Sequence, residues 1–393
     1  MMTTFGPVDD AARLQLERCL DRGGDEARGV LCADHHKGYS MPIGGVLASK
    51  TVVMPAGVGY DIACGNCAVR TDAQAVDVDV QAVMDEVWKT ISFGVGRSNA
   101  ERVDAPVFDA IAQSHIPEVR GLIDLARNQL GTVGSGNHYV DLFEDRADGR
   151  LWVGVHFGSR GFGHKTATGF LALAAGKVWG ERTDDSMDAP PTTIQLGTAL
   201  AQDYLAAMAL AGEYAYAGRN WVVDRVLRLL GARTEWKVHN HHNFAWSEQH
   251  GGEQWLVVRK GATPAFPGQT GFVGGSMGDD AVIVEGVDSP SSREAFFSTV
   301  HGAGRVMGRM EAKGKWKRGE CVRPGKVDWP AWQATLKAQG VEIRGGGADE
   351  APQCYKRLSD VLGYHGETIK VLHTLRPIGV AMAGHETIDP YKD

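Results

Sequence analysis

Leu151-Trp152-Val153-Gly154-Val155-His156-Phe157-Gly158-Ser159-Arg160-Gly161 is a short apolar run that reaches a histidine and then breaks into a glycine-punctuated turn. The run is too short for a helix and reads as a buried strand. The glycines beyond it let backbone turn sharply or approach a partner closely. Two other histidines have similar settings: His138 follows Gly134-Ser135-Gly136-Asn137, and His301 opens His301-Gly302-Ala303-Gly304-Arg305. Histidines at strand-to-loop junctions predict an α/β protein that presents its chemistry at the edge of a sheet.

Outward from this strand, the pattern predicts an amphipathic helix over about 8–22 and strands at 44–48, 51–54, 255–258 and 281–284. Residues 105–130 have helical spacing, interrupted near Pro117 and stopped by Gly131. The Ala/Leu-rich stretch 198–230 is expected to hold two helices, with Gly212 and Gly218 as breaks. The acidic, proline-containing segment 181–191 is expected to be a surface loop. No internal repeat or long Ser/Gly linker forces a cut, so residues 1–393 are expected to form one interleaved mixed α/β (α+β) domain, a central β core with surrounding helices.

Hydrophobic residues at 43% and charged residues at 23% exclude disordered, collagen-like and coiled-coil chains. Glycine is the outlier, at 51 of 393 residues. No stretch approaches the roughly 18 to 20 apolar residues that span a bilayer, and the start lacks a basic and apolar leader, so a cytoplasmic protein with no membrane partner is expected. Cysteines 19, 32, 64, 67, 321 and 354 are poor evidence for disulfides and leave thiols for packing or metal binding. A net charge of −7 argues against nucleic-acid affinity over the whole surface. Residues 301–326 nevertheless carry eight Lys/Arg against Glu311 and Glu320, the makings of a local basic groove.

Asp61 and Cys64 lie three apart in a glycine-flanked bend, where a carboxylate and a thiolate can face one ion; the alternative is a buried free cysteine beside a turn aspartate. Cys67 completes a Cys-x-x-Cys match without a second copy, which is weak support for a zinc ribbon. In His239-Asn240-His241-His242-Asn243, neighbouring imidazoles are expensive to bury unless something uses them, although a solvated polar loop is the plain alternative. His138, His156 and His242 with Asp61 and Cys64 offer mixed O, N and S donors, enough for two ions sharing Cys64 and suited to manganese, zinc or iron. His301 to Arg305 joins an imidazole to glycines and an arginine able to fork onto phosphate, a unit fit for attack on phosphorus or simply for a capped helix start. Residues 259–262 and 274–278 add further phosphate-type loops, each weak alone.

These residues, with Asp34-His35-His36-Lys37-Gly38-Tyr39, segments 42–46, 57–65, 134–138 and 156–161, Tyr355-Lys356 and Arg376-Pro377, resemble the RtcB family of GTP-dependent RNA ligases from about residue 30 to 384. The resemblance implies an enzyme that joins an RNA 2′,3′-cyclic phosphate or 3′-phosphate end to a 5′-hydroxyl end, using GTP and two manganese ions, with an activating protein as a further partner in some settings. It implies Asp61, Cys64, His138, His156 and His242 as manganese ligands, His301 as the guanylylated nucleophile and Asp34 as the carboxylate that orients it. Asn137, Tyr139, Asp141, His242, Asn243, Ser276, Gly302, Ala303, Gly304, Arg305 and Tyr355 are implied around the nucleotide, and Arg160, Lys260 and Arg305 on phosphate or the RNA end.

The sequence also departs from the family. Asp141 is one methylene shorter than the family's usual glutamate. Met382 aligns with a lysine of the nucleotide site, and residues 385–393 form a short C-terminal extension from which Lys392 could fold back. Gly274 replaces a common proline, and Asn66-Cys67 lengthens the loop after Cys64. Two other functions share these residues: a manganese-dependent phosphatase or cyclic phosphodiesterase, and a non-catalytic RNA-binding factor.

Overall fold

Alternation along the strand Arg150–Phe157 decides which side the chemistry lies on. Leu151, Val153 and Val155 pack outward with Val222, Val223 and Val226 of a long helix. Trp152 faces the opposite way with Phe143 and Phe272, and a Cβ at Gly154 would meet the Phe143 ring at 2.6 Å. His156 continues this second, inward set. In the computed structural model, which describes residues 1–184, 186–317 and 320–384, the strand belongs to an eight-stranded sheet. The extension 385–393, with Lys392, lies outside the described residues, as does Arg318 of the basic segment.

The sheet runs Thr270–Val273, Ala281–Gly286, Ile369–Gly384, Tyr139–Asp145, Arg150–Phe157, Gly65–Gln74, Thr234–His241 with antiparallel neighbours, and Glu342–Gly346 pairs in parallel with Ile369–Gly384. Amide side chains draw its two ends together. Asn66 donates to the Phe272 carbonyl (2.8 Å), and Asn240 Oδ1 accepts from the Phe272 N–H (3.4 Å). The sheet thereby nearly closes around Tyr139, Phe143, Trp152, Phe272 and Met277.

A five-stranded sheet, Met2–Thr4, Arg28–His36, Ile43–Ser49, Glu253–Lys260, Asn243–His250, stands beside it. The pair Ala262–Pro264 and Ser298–Val300 leads the chain to His301. The first helix is Asp10–Arg22, capped by the Asp9 side chain and burying Ala12, Leu16 and Cys19, in line with its amphipathic pattern. The 105–130 region forms Val107–Ala112, Pro117–Arg120 and Ile123–Gln129, with Gly131 at φ +82 just beyond.

The stretch expected to hold two helices is one, Ala199–Leu230, started by the Thr198 side-chain cap and ended by Gly231 in the left-handed region. Gly212 and Gly218 are places of close packing and do not break it. The missing Cβ of Gly212 leaves room for the Phe244 ring at 3.1 Å, and that of Gly218 for the Phe157 ring at 3.3 Å. An interior glycine costs a helix about 1 kcal/mol, which close seating against the strand ends offsets. Gly212→Leu should therefore lower stability by about 1–3 kcal/mol through overpacking, read from the denaturant midpoint. An unchanged midpoint would mean that the Phe244 contact is slack. Among the described residues no helix is long and apolar enough to cross a membrane.

Candidate active site

Asp61 and Cys64 sit in the bend before the strand Gly65–Gln74, where Gly59 and Ala63 both have positive φ (95° and 60°). His138 precedes Tyr139–Asp145, His156 lies near the end of Arg150–Phe157, and His242 joins Thr234–His241 to Asn243–His250. All converge. Their donor atoms form two groups, Asp61/Cys64/His138 and Cys64/His156/His242, each with its ligand atoms within 4.8 Å of one another. Cys64 is common to both. Its Sγ lies 3.2 Å from His156 Nε2 and 3.6 Å from His138 Nε2, and His138 Nε2 is 3.0 Å from Asp61 Oδ2.

The set fits metal ions on three grounds. His138 Nδ1 donates to the Val133 carbonyl (3.0 Å), which turns the Nε2 lone pair toward Asp61 and Cys64. Asp61 Oδ2 and His242 Nδ1 are buried polar atoms without a hydrogen-bond partner. Burial pushes His156 and His242 well below the ordinary imidazole value and so keeps them neutral, the form that binds metal. Burial works to raise the Asp61 carboxyl, but nearby positive charge, the Arg160 guanidinium included, outweighs it and holds it at about 2. Burial and the Asp61 charge push the Cys64 thiol well up, so an anionic sulfur here calls for cations beside it.

Asp34, fully buried on the strand Arg28–His36, accepts through Oδ2 from His301 Nδ1 (2.7 Å) and from the His301 and Gly302 N–H groups (3.1 and 3.4 Å). Burial works to raise this carboxyl; the hydrogen bonds from His301 outweigh it and hold it below its ordinary value. With Nδ1 donating, His301 keeps its lone pair on Nε2. Gly304 makes this approach possible. At φ +77 a Cβ there would stand 2.2 Å from the Asp34 carbonyl oxygen. The His301 ring lies 4.8 Å from that of His242, which places the dyad beside the donor groups.

From His301 a pocket runs along the inward face of the nearly closed sheet. Of the residues implied for a nucleotide, Asn137, Tyr139, Asp141, Ser276, Gly302, Ala303, Gly304, Arg305 and Tyr355 line it. Tyr139 and Asp141 share a face with Phe143 by strand alternation, while Val140 and Leu142 point outward. Tyr139 Oη, Asp141 Oδ1 and Asn66 Oδ1 are buried there without hydrogen-bond partners. Burial pushes the Asp141 carboxyl well up, against a backbone hydrogen bond from Ala381.

The other implied residues, His242, Asn243, Lys260 and Arg160, are not among those that line this pocket. Asn243 braces the Asp61–Cys64 bend, with Nδ2 donating to the Asp61 carbonyl (3.3 Å) and Oδ1 accepting from the Gly261 N–H (2.7 Å). The Lys260 ammonium is buried and donates to the Tyr39 and Ala56 carbonyls (2.5 and 3.1 Å); burial holds it down at about 8. Arg160 lies over Gly134, where a Cβ would overlap its guanidinium at 1.9 Å, and its Nη1 is 3.2 Å from His138 Nδ1.

Sequence reasoning missed Asp349 and Glu350, and it read Arg309 only as part of a basic groove. Arg309 pairs with both carboxylates, Arg305 bonds Tyr355 Oη (2.8 Å) and the Asp349 carbonyl (2.8 Å), and Tyr355 Oη donates to Glu350. The first arginines of the basic segment are thus held by acids at the pocket wall, and Lys326 pairs with Glu311. The adjacent acids before Tyr355 were the available signal. His36, Asn66, Met277 and Met382 also line the pocket. Cys67, by contrast, is buried on the outward face and takes no part in either donor group.

The sequence profile described as tRNA-splicing ligase RtcB matches residues 25–118 and 118–383. The chain is 31% identical over 408 residues to the RNA-splicing ligase RtcB of Escherichia coli, covering 96% of this chain and 95% of that protein. It is 31% identical over 440 residues to the tRNA-splicing ligase RtcB of Archaeoglobus fulgidus (91% and 88% covered). It is 29% identical over 410 residues to the RNA-splicing ligase RtcB homolog 1 of Entamoeba dispar (84% and 74% covered). With the profile matched along nearly its whole described length and near-full-length relatives of this identity, the chain belongs to the RtcB family.

Proposed function

We propose that the protein is an RNA ligase that joins a 2′,3′-cyclic phosphate or 3′-phosphate end to a 5′-hydroxyl end with GTP as co-substrate. The observation that carries this reading is the His301–Asp34 dyad standing beside two donor groups that share Cys64. Asp61, Cys64, His138, His156 and His242 would hold two manganese ions, which supply Lewis-acid polarisation of phosphate oxygens.

His301 Nε2 forms a bond to the α-phosphorus of GTP as the α–β P–O bond breaks and pyrophosphate leaves. Asp34 holds the ring in the tautomer whose Nε2 lone pair is free, and it stabilises the charge that the ring acquires. Gly302, Ala303, Gly304 and Arg305 line the pocket where the phosphates would lie. GMP then passes from His301 to the RNA 3′-phosphate, and the 5′-hydroxyl displaces it to form the phosphodiester. A cyclic phosphate is first opened by water to the 3′-phosphate. Incubation with manganese and α-labelled GTP should give acid-labile, base-stable label on the protein. Removal of phosphate without labelling would favour the phosphatase or phosphodiesterase reading, and RNA binding without either reaction a non-catalytic factor.

Asp141 and the apolar Met382 both line this pocket, and in this reading they meet the base. Asp141 can accept from a guanine edge only if the base moves about 1.5 Å deeper to make up the missing methylene, or through a water. We expect GTP to be preferred over ATP in labelling His301, with a wider margin in Asp141→Glu. Equal margins in the two proteins would show that Asp141 does not read the base.

A further inference from the structure

The helix Ala199–Leu230 carries Arg219, whose side chain is wholly buried against the outward face of the strand ends. Its Nη1 donates to the Ala63 carbonyl (3.0 Å) and the Phe157 carbonyl (2.6 Å), its Nε to His239 Nε2 (2.8 Å) and its Nη2 to His241 Nδ1 (2.9 Å). Three of these anchors are sequence neighbours of donors: Ala63 of Cys64, Phe157 of His156 and His241 of His242. Those three donors make up one complete group. One rigid guanidinium therefore ties together three chain segments that must meet for that group to exist.

We propose that Arg219 is a positioning residue for the candidate metal centre, fixing the Cys64/His156/His242 group through the backbone on either side of it. The proposal rests on the metal-binding reading given above. Arg219 touches none of the donor side chains in these hydrogen bonds, so its action passes through main chain.

The alternative of general stabilisation fits the chemistry poorly. The acceptors are two carbonyls and two imidazoles, none of them anionic, and a buried cation so partnered is a worse choice for stability than an apolar side chain of similar volume. What the planar fork offers is a fixed angle between several acceptors at once. Ala63 is held at φ 60°, a conformation that residues with a Cβ adopt only when their surroundings impose it. Its carbonyl is one of the two that Arg219 grips. The arrangement also accounts for the two histidines of the 239–243 cluster that are not donors. Strand alternation turns His239 and His241 outward, where they accept from Arg219 and pack on the Tyr216 ring, with centroids 4.4 and 3.9 Å away.

Cobalt(II) binding to the full-length protein tests this, because thiolate-to-cobalt charge transfer and the d–d bands report the Cys64 geometry directly. Arg219→Met should bind cobalt about 10–100-fold more weakly, the range typical of lost outer partners, with a weakened or shifted charge-transfer band. Arg219→Lys, which keeps the charge but reaches fewer anchors, should fall between. Tyr214→Phe is the control. It removes a buried hydroxyl on the same helix, bonded to the Ala126 carbonyl at 2.9 Å, and should lower stability while leaving cobalt affinity and spectrum unchanged.

Wild-type affinity and band in Arg219→Met would overturn the proposal, as would an equal loss in Tyr214→Phe. Should Arg219→Met fail to fold, the comparison of Arg219→Lys with Tyr214→Phe decides by the same criteria. No thiolate band in the wild-type protein would instead overturn the metal-binding reading itself, and the proposal with it.

Discussion

His301→Ala should abolish covalent labelling by GTP, a loss of at least about 10³-fold, while the protein keeps its metal content. Removal of a nucleophile acts on this scale because no neighbouring group can form the same bond. Metal retention follows from the geometry: His301 belongs to neither donor group, and its nearest link to them is a ring contact with His242. The substitution leaves the backbone N–H groups of residues 301 and 302 bonded to Asp34, so the loop keeps two of its three ties to that carboxylate. Phosphorimaging of labelled protein alongside elemental analysis checks both halves. Loss of metal in step with label would make His301 a ligand.

Cys64→Ser should do the opposite in order of cause, emptying the metal centre first and losing labelling and ligation as a result. Both donor groups depend on this one sulfur, and a hydroxyl at neutral pH is a poor anionic bridge. Affinity should fall by more than about 10²-fold, beyond the range for outer partners. The fold should survive, since the Cys64 carbonyl still accepts from the His242 and Asn243 N–H groups (2.8 and 3.2 Å). Two ions retained at wild-type affinity, measured by competition with a chelator, would remove Cys64 from the shared position.

Much of the site was legible because chemistry and local pattern coincide there. His156 ends an apolar run too short to be anything but a strand, and each of His138 and His301 is flanked by glycines that the structure uses. Gly134 makes room for Arg160, and Gly304 lets its loop touch the strand that holds Asp34. What stayed hidden depends on partners distant in sequence. Gly212 and Gly218 read as helix breaks because nothing local reveals the rings of Phe244 and Phe157 that fill their space. The basic segment read as an open groove because Asp349 and Glu350, which hold Arg309, come 40 and 41 residues later. The histidine cluster hinted at ligands, but only strand parity separates His242 from the outward-facing His239 and His241.

The contact between Asp34 and His301 spans 267 positions of the chain, and the same early strand is gripped from still further on. Lys356 donates to the Ala33 and His35 carbonyls on either side of Asp34, and His365 accepts from the Ala33 N–H. During synthesis at about 5–20 residues per second, the Asp34 strand leaves the ribosome on the order of ten seconds to a minute before the partners that neutralise and fasten it. No nascent fragment that lacks the last hundred residues can therefore carry a completed dyad. On the ligase reading proposed above, the capacity to take up GMP would arise only when the Asp34 strand and the His301 loop have found each other, which would make covalent labelling a clock for the late closure of the fold.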